Sequence, residues 1–269
     1  MKTTIDTDSA EVIVEENGET SHFPMETAEA FDAVARAYLR TGWDTKYVYS
    51  FSWLGRPIIQ LPDDMLRAQE LIYRVKPDIL VEIGVAHGGS LIMYASMLSV
   101  LEYCEAQENG LTVDPTKPKR KVLGIDIDIR RHNRNAIESH PMASRIQLIE
   151  GSSIASEIID KVKMFADRYE RILVCLDSNH THDHVLSELN AYAPLVSVGS
   201  YCVVFDTIIE DMPEDMFSDR PWGRGNNPKT AVWDYLQSHP EFEIDKLIQN
   251  KLLITVAPDG FLRRRGTVS

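Results

Sequence analysis

Between Ile79 and Phe205 one pattern recurs: short apolar runs alternate with helical stretches. The runs are Ile79–Ile83, Lys121–Ile127, Ile146–Glu150, Ile172–Leu176 and Ser200–Phe205. The stretches between them, Ser90–Tyr103, Asn133–Ser139, Ala155–Asp167 and Thr181–Tyr192, have helical character. Apolar runs this short fit strands covered on both faces. Parallel strands need crossover helices to supply that cover. The chain is therefore expected to be α/β, with no fixed-period repeat.

The flanks read differently. Residues 1–24 are acidic and weakly patterned, and are expected to be a loosely ordered arm with a short strand at Glu11–Val14. Helical patterning from Met25 to Arg40 places Phe31, Val34, Ala35 and Tyr38 on one face. An aromatic stretch, Trp43–Trp53, then precedes a second helix for which Asp63 is the expected cap. Residues 25–76 thus form an N-terminal helical extension, and 77–265 the α/β domain. After the fifth run comes a long polar segment, Thr207–Asn227, then a helix with Asn227 as cap and Pro228 in its first turn. Strand-like runs at Phe242–Lys246 and Leu252–Ala257 and a basic tail, Arg263 to Arg265, follow.

Charge narrows the partners. Of 269 residues, 28 are Lys or Arg and 41 Asp or Glu, a formal net charge of −13. Such a chain is repelled by nucleic-acid phosphates and anionic lipid, so neither is an expected partner. Cys104, Cys175 and Cys202 are too scattered for a disulfide framework. With no signal-peptide pattern and no apolar run of about 18 residues, the expected setting is cytoplasmic. A homo-oligomer is expected, with the aromatic stretch either on the core or at a subunit contact.

The chemistry concentrates at the ends of the runs. The first ends Glu82-Ile-Gly84-Val-Ala86-His-Gly88-Gly89-Ser90. Glycines permit a sharp turn and close ligand approach, and the next helix offers free N–H groups to an anion. The spacing matches neither the dinucleotide fingerprint nor the P-loop. Asp126 ends the second run, where an acid can accept hydrogen bonds from ribose hydroxyls.

The E-x-G-x-x-x-G-x-S loop resembles the first motif of S-adenosylmethionine-dependent methyltransferases of the catechol O-methyltransferase kind. That resemblance implies Glu82, Gly84 and Ala86 near the methionine moiety and Ser90 at its carboxylate. It further implies Asp126 at the ribose, and Ser152 and Ser153 on the adenine side.

The fourth run ends Leu176-Asp177-Ser178-Asn179-His180-Thr181-His182-Asp183-His184, and the fifth ends Val204-Phe205-Asp206-Thr207. Adjacent parallel strands bring Asp177 and Asp206 to one crevice, where two carboxylates call for a hard cation such as Mg²⁺. In catechol-type enzymes a lysine three residues after the strand-end acid is the general base. His180 has that offset and suits the task near neutral pH.

These motifs, with Arg220-Pro-Trp222-Gly and Asn226-Asn-Pro-Lys-Thr230, resemble the cephalosporin hydroxylase family over residues 40–262. Its members are similar to S-adenosylmethionine- and Mg²⁺-dependent sugar O-methyltransferases. The resemblance implies a Rossmann-like class I methyltransferase with a mostly parallel seven-stranded sheet, helices on both faces and a small-molecule hydroxyl acceptor. Asp177 would then touch both cofactor and metal. One departure stands out: family members carry Glu-Asp where this chain has Phe205-Asp206, leaving Thr207 or water to fill a ligand position. Residues 207–227 are placed to form a lid, with Trp222 to stack on the acceptor. Two rival readings are a non-catalytic S-adenosylmethionine-binding partner and an iron hydroxylase built on His182, Asp183 and His184.

Overall fold

The computed structural model describes residues 2–251 and 253–266, with backbone only at Gln249 and Asn250. The N-terminal segment is not loosely ordered. It forms an antiparallel meander of β1 (Lys2–Asp6), β2 (Glu11–Glu16) and β3 (Glu19–Pro24). Asn17 and Gly18 form the two-residue turn between β2 and β3 at φ 53° and 84°, the left-handed values that a type I′ hairpin needs. Val12 packs on Ala30 and Ala33 of α1 (Ala28–Asp44).

Thr27 caps α1 by accepting a hydrogen bond from the Ala30 N–H. The helix buries Ala30, Ala33, Ala35 and Leu39, whereas Phe31 and Tyr38 are 47% and 37% exposed. Of the expected apolar face, Ala35 is buried and Val34 half-buried, while Phe31 and Tyr38 face outward. A hairpin of β4 (Phe51–Trp53) and β5 (Arg56–Ile58) follows. The end of the aromatic stretch packs on the chain's own core, Phe51 and Trp53 lying against the buried cluster and Trp53 Nε1 donating to Ser96 Oγ at 2.9 Å, whereas Tyr47 and Tyr49 are exposed. In α2 (Pro62–Val75) Leu61, not Asp63, holds the cap position. Asp63 and Asp64 lie in the first turn at the positive end of the helix dipole.

The α/β unit runs β6 (Ile79–Ile83), α3 (Gly89–Asn109), β7 (Lys121–Asp126), α4 (Arg131–Glu138), β8 (Ile146–Glu150), α5 (Ser156–Ala166), β9 (Ile172–Leu176), α6 (His182–Tyr192) and β10 (Tyr201–Val204). Then come α7 (Pro228–Ser238), β11 (Phe242–Ile244), α8 (Lys246–Lys251) and β12 (Phe261–Arg264). The seven strands lie in the order β11-β12-β10-β9-β6-β7-β8. The five from β10 to β8 are parallel, and β12 runs antiparallel to both its neighbours.

Alternation within strands shows why both faces are covered. Ile79, Val81 and Ile83 pack with Ile158, Val185 and Val232 on one side. Leu80 packs with Leu71, Leu91 and Leu98 on the other. The helices α5, α6 and α7 thus cover one face, and α2 and α3 the other. Cys175 and Cys202 are buried free thiols. Among the described residues no helix is long and apolar enough to cross a membrane.

The C-terminal expectation needs correction. Leu252 lies outside the described residues, and residues 253–257 form an irregular connection, not a strand. The Asp64 carboxylate ties that connection down, accepting from Thr255 Oγ1 at 2.5 Å and the Val256 N–H at 3.0 Å. The last strand lies later, with Arg263 and Arg264 of the expected basic tail inside it.

Candidate active site

The sheet's parallel strands present their C-terminal ends on one side, and backbone bonds hold the loops there together. Gly84 N–H donates to Ile125 O at 2.8 Å, Asp177 N–H to Ile83 O at 2.8 Å, and Phe205 N–H to Leu176 O at 3.0 Å. Gly84 has φ +104°, and a Cβ there would lie 1.9 Å from the Asp177 carbonyl oxygen. Only glycine fits, because the loop after β6 lies against the backbone of the loop after β9.

These loops open onto a cavity of about 300 Å³. Gly84, Ala86, Ser90, Asp177, His180 and Asp206 line it on the sheet side, and α1 and the segment after β10 close it on the other. Ligand atoms of Asp177, His180 and Asp206 all lie within 4.8 Å of one another, the sole such group among the described residues. His180 Nε2 is 3.1 Å from Asp206 Oδ2, and the Trp222 ring meets the imidazole edge-on at 4.8 Å. His180 sits in the loop before α6, whose cap is Thr181. Asp206 adopts φ 57°, a conformation that costs a non-glycine residue about 1–2 kcal/mol.

The site is electrostatically one-sided. Burial raises the Asp177 carboxyl well above the usual carboxylate range, and the charges of Asp206, Glu82, Glu188 and Asp64 raise it further. Glu82 is 1% exposed, and neither carboxylate oxygen has a well-formed hydrogen bond. Burial pushes it up to about 8; Ser90 lowers it in part and the Asp126 charge raises it again. Asp64 is pushed up to about 7, again mainly by burial.

Other expected site residues have different surroundings. Asp126 is occupied by the glycine loop: its Oδ2 accepts from the N–H groups of Val85 at 2.8 Å and Ala86 at 3.2 Å. It braces the loop and, with Ser152 and Ser153, is not among the residues lining the cavity. Ser153 instead donates to Glu188 Oε1 at 2.5 Å. Thr207 does not stand in for the acid replaced by Phe205: it is fully buried, donates to Pro258 O at 2.5 Å and is not among the residues lining the cavity. The iron-site reading fails on geometry. His182 Nδ1 lies 2.9 Å from Thr230 Oγ1, whereas His184 Nε2 lies 3.1 Å from Glu188 Oε1.

Three further supports hold the site, and their sequence signals are weak. Glu188, fully buried, gathers Ser153, Ser178 at 2.6 Å and His184 on one oxygen, linking the loops after β8 and β9 to α6. Its signal was the His184–Glu188 spacing of one helical turn. Asn133 donates to Ala86 O at 2.9 Å and accepts from Arg56, bracing the glycine loop from α4 and β5. The segment 207–227, expected as a lid, is tied at both ends: Glu210 Oε2 accepts from the Gly225 N–H and from Asn227 Nδ2, and Lys229 pairs with Asp211 at 2.6 Å.

The sequence model of the family described as "Rhamnosyl O-methyltransferase/CmcI" matches residues 45–265. The chain belongs to that family. Rhamnosyl O-methyltransferases of Mycobacterium tuberculosis and Mycobacterium bovis are 28% identical to it over 238 residues, covering 87% of this chain and 86% of theirs. The Mycobacterium leprae protein of that name is 25% identical over 237 residues, covering 87% of this chain and 92% of its own. Among solved structures, apo CmcI is 17% identical with a TM-score of 0.52, covering 81% of this chain and 78% of that one. CmcI with Mg and S-adenosylmethionine is 18% identical with a TM-score of 0.50 and the same coverage. These structural likenesses show the fold. Membership of the rhamnosyl O-methyltransferase/CmcI family makes the chain an S-adenosylmethionine-dependent O-methyltransferase.

Proposed function

We propose that this O-methyltransferase methylates a hydroxyl of a sugar, a deoxyhexose such as rhamnose, carried on a small molecule. The observation that carries the site assignment is the convergence of Asp177, His180 and Asp206 beside the glycine loop. S-adenosylmethionine supplies an electrophilic methyl on a cationic sulfonium, and a divalent cation would acidify the acceptor hydroxyl.

The residues present suit both groups. Glu82 does not line the cavity and is held protonated by burial just behind Ser90; meeting the methionine ammonium would ionise it, and that pairing would offset its buried charge. Ser90, at the start of α3, suits the carboxylate. Asp177 and Asp206 would hold a divalent ion, with water at the position of the acid that Phe205 replaces and His180 kept free as the base. Ser153 takes an adenine-side role only if its bond to Glu188 rearranges, whereas Ser152 and Asp126, whose carboxylate can accept further hydrogen bonds, keep the adenine-side and ribose roles.

His180 takes the hydroxyl proton at Nδ1. Its Nε2 faces Asp206, which fixes the ring and stabilises the imidazolium that forms. Trp222 holds the other side of the imidazole, and the lid excludes water. The contribution of these residues is positioning plus electrostatics. The test is methyl transfer to a rhamnoside by His180→Ala and Asp177→Ala. Each is expected to lose at least about 100-fold in kcat, and wild-type turnover by both would end the proposal. Calorimetry with S-adenosylmethionine, with and without Mg²⁺, tests the metal separately.

A further inference from the structure

Asp206 lines the cavity from a left-handed backbone position, φ 57°. A non-glycine residue keeps that conformation only where its surroundings impose it. Here they do so from both sides. Residues 255–260, between α8 and β12, form a strap that grips the chain before and after Asp206. Val204 N–H donates to Gly260 O at 2.8 Å, Thr207 Oγ1 to Pro258 O at 2.5 Å, and Ile208 N–H to Val256 O at 3.2 Å. The approach is close: a Cβ on Gly260 would lie 2.1 Å from Val204 O.

The strap is in turn pinned at each end by an acid. Towards β12, Asp259 Oδ1 accepts from Lys246 Nζ at 2.8 Å and its Oδ2 from Trp233 Nε1 at 3.3 Å. At the other end the anchor comes from the N-terminal extension. Asp64, in the first turn of α2 and 3% exposed, takes Thr255 Oγ1 on Oδ1 and the Val256 N–H on Oδ2. The strap before Pro258 belongs to no strand, so these two bonds stand in for a ladder. Asp64 itself is not among the residues lining the cavity, whereas Val256 is.

We infer that Asp64 is a positioning residue for methyl transfer. Through the strap it holds Asp206 in the left-handed conformation that keeps its carboxylate beside Asp177 and His180. With the anchor removed, Asp206 relaxes to an ordinary conformation. Each ion bound then has to restore the strained one, and affinity falls by the fraction of molecules that still hold it. The cofactor side is spared, because the glycine loop is fixed by β7 and the loop after β9, not by the strap. The inference rests on the reading above, in which Asp206 holds a divalent ion.

The experiment is calorimetry with Mg²⁺ and, separately, with S-adenosylhomocysteine on the wild type, Asp64→Ala, Asp64→Asn and Thr207→Val, with steady-state methylation of a rhamnoside alongside. Asp64→Ala and Thr207→Val are each expected to weaken Mg²⁺ binding at least about fivefold and to lower kcat by a similar factor. S-adenosylhomocysteine affinity and KM for S-adenosylmethionine stay unchanged in both. Asp64→Asn is expected to remain within about twofold of the wild type, because its oxygen can accept from the Val256 N–H while its amide donates to Thr255 Oγ1. Thr207→Val cuts the strap without touching Asp64, so it decides the matter if Asp64→Ala does not fold. Wild-type Mg²⁺ affinity in Thr207→Val or in folded Asp64→Ala overturns the inference and leaves the reading of the site intact. An equal loss of S-adenosylhomocysteine affinity also overturns it, since the whole fold would then have loosened. So does Asp64→Asn behaving like Asp64→Ala, because charge and not the strap bonds would be the source. A wild-type enzyme that binds S-adenosylhomocysteine but no Mg²⁺ removes the reading of the metal site, and the inference with it.

Discussion

Glu82→Gln separates the stability of this protein from its function. The wild-type carboxyl is 1% exposed, lacks a well-formed hydrogen bond, and is pushed by burial from an ordinary value of 4.5 up to about 8. In the unfolded chain it releases its proton near 4.5; in the folded chain it holds that proton until about 8. As pH rises through this window the unfolded state is increasingly favoured, so stability falls. At about 1.4 kcal/mol per pH unit, the loss between 4.5 and 7 is about 3 kcal/mol. Glutamine has the same shape and no charge to release, so the variant lacks this slope. Its absolute stability includes the burial of an amide, which makes the change with pH the quantity to read. Thermal melts of both proteins without ligand should show the gap shifting in favour of Glu82→Gln by about 3 kcal/mol from pH 4.5 to 7, or about 6–12 °C for a chain of this size. The variant should also bind S-adenosylmethionine at least about tenfold more weakly, because the carboxylate that meets the ammonium is gone. A stability gap that stays flat across that pH range would refute the argument.

Gly84→Ala adds a Cβ 1.9 Å from the Asp177 carbonyl oxygen at φ +104°, and should cost at least about 3 kcal/mol in a thermal melt. Gly55→Ala, at φ +85° with nothing within 4 Å of the new Cβ, should cost about 1 kcal/mol and serves as its control. Phe205→Glu supplies a carboxylate beside Asp206; calorimetry should show divalent-ion affinity rising at least about tenfold, with the metal-free protein destabilised by about 3 kcal/mol. Glu188→Ala strips one acceptor from Ser153, Ser178 and His184, and should cost about 3 kcal/mol in denaturant unfolding.

The sheet is legible because its central strands β6 and β9 are apolar on both faces and stand out against polar connections, whereas β8 at the edge is only half apolar. The convergence of Asp177 and Asp206 followed from the pairing of adjacent parallel strands, which the register of Val204 with Leu176 provides. The meander was missed because β1 and β3 bury almost nothing and carry no apolar alternation. Its one clear signal was Asn17-Gly18, a hairpin turn between two glutamates. The last strand was misplaced because Leu252–Ala257 is the more apolar segment. Thr255 and Val256 spend their hydrogen bonds on Asp64, a side chain from α2 distant in sequence. Asp126 is legible as a strand-end acid and Ser153 only through the family's loop after β8, and neither signal carries information on the Val85, Ala86 and Glu188 bonds these side chains make.

The contact between Gly84 and the Asp177 backbone bears on how such an enzyme can change over evolutionary time. The glycine loop and the acid-bearing loop share one tight surface, so neither can be reshaped without the other. The wall facing them is built from α1 and the lid, outside the sheet, where side chains can be exchanged without disturbing strand ends. New acceptors can therefore be recruited by substitution on that wall alone, while the methyl-transfer half stays fixed.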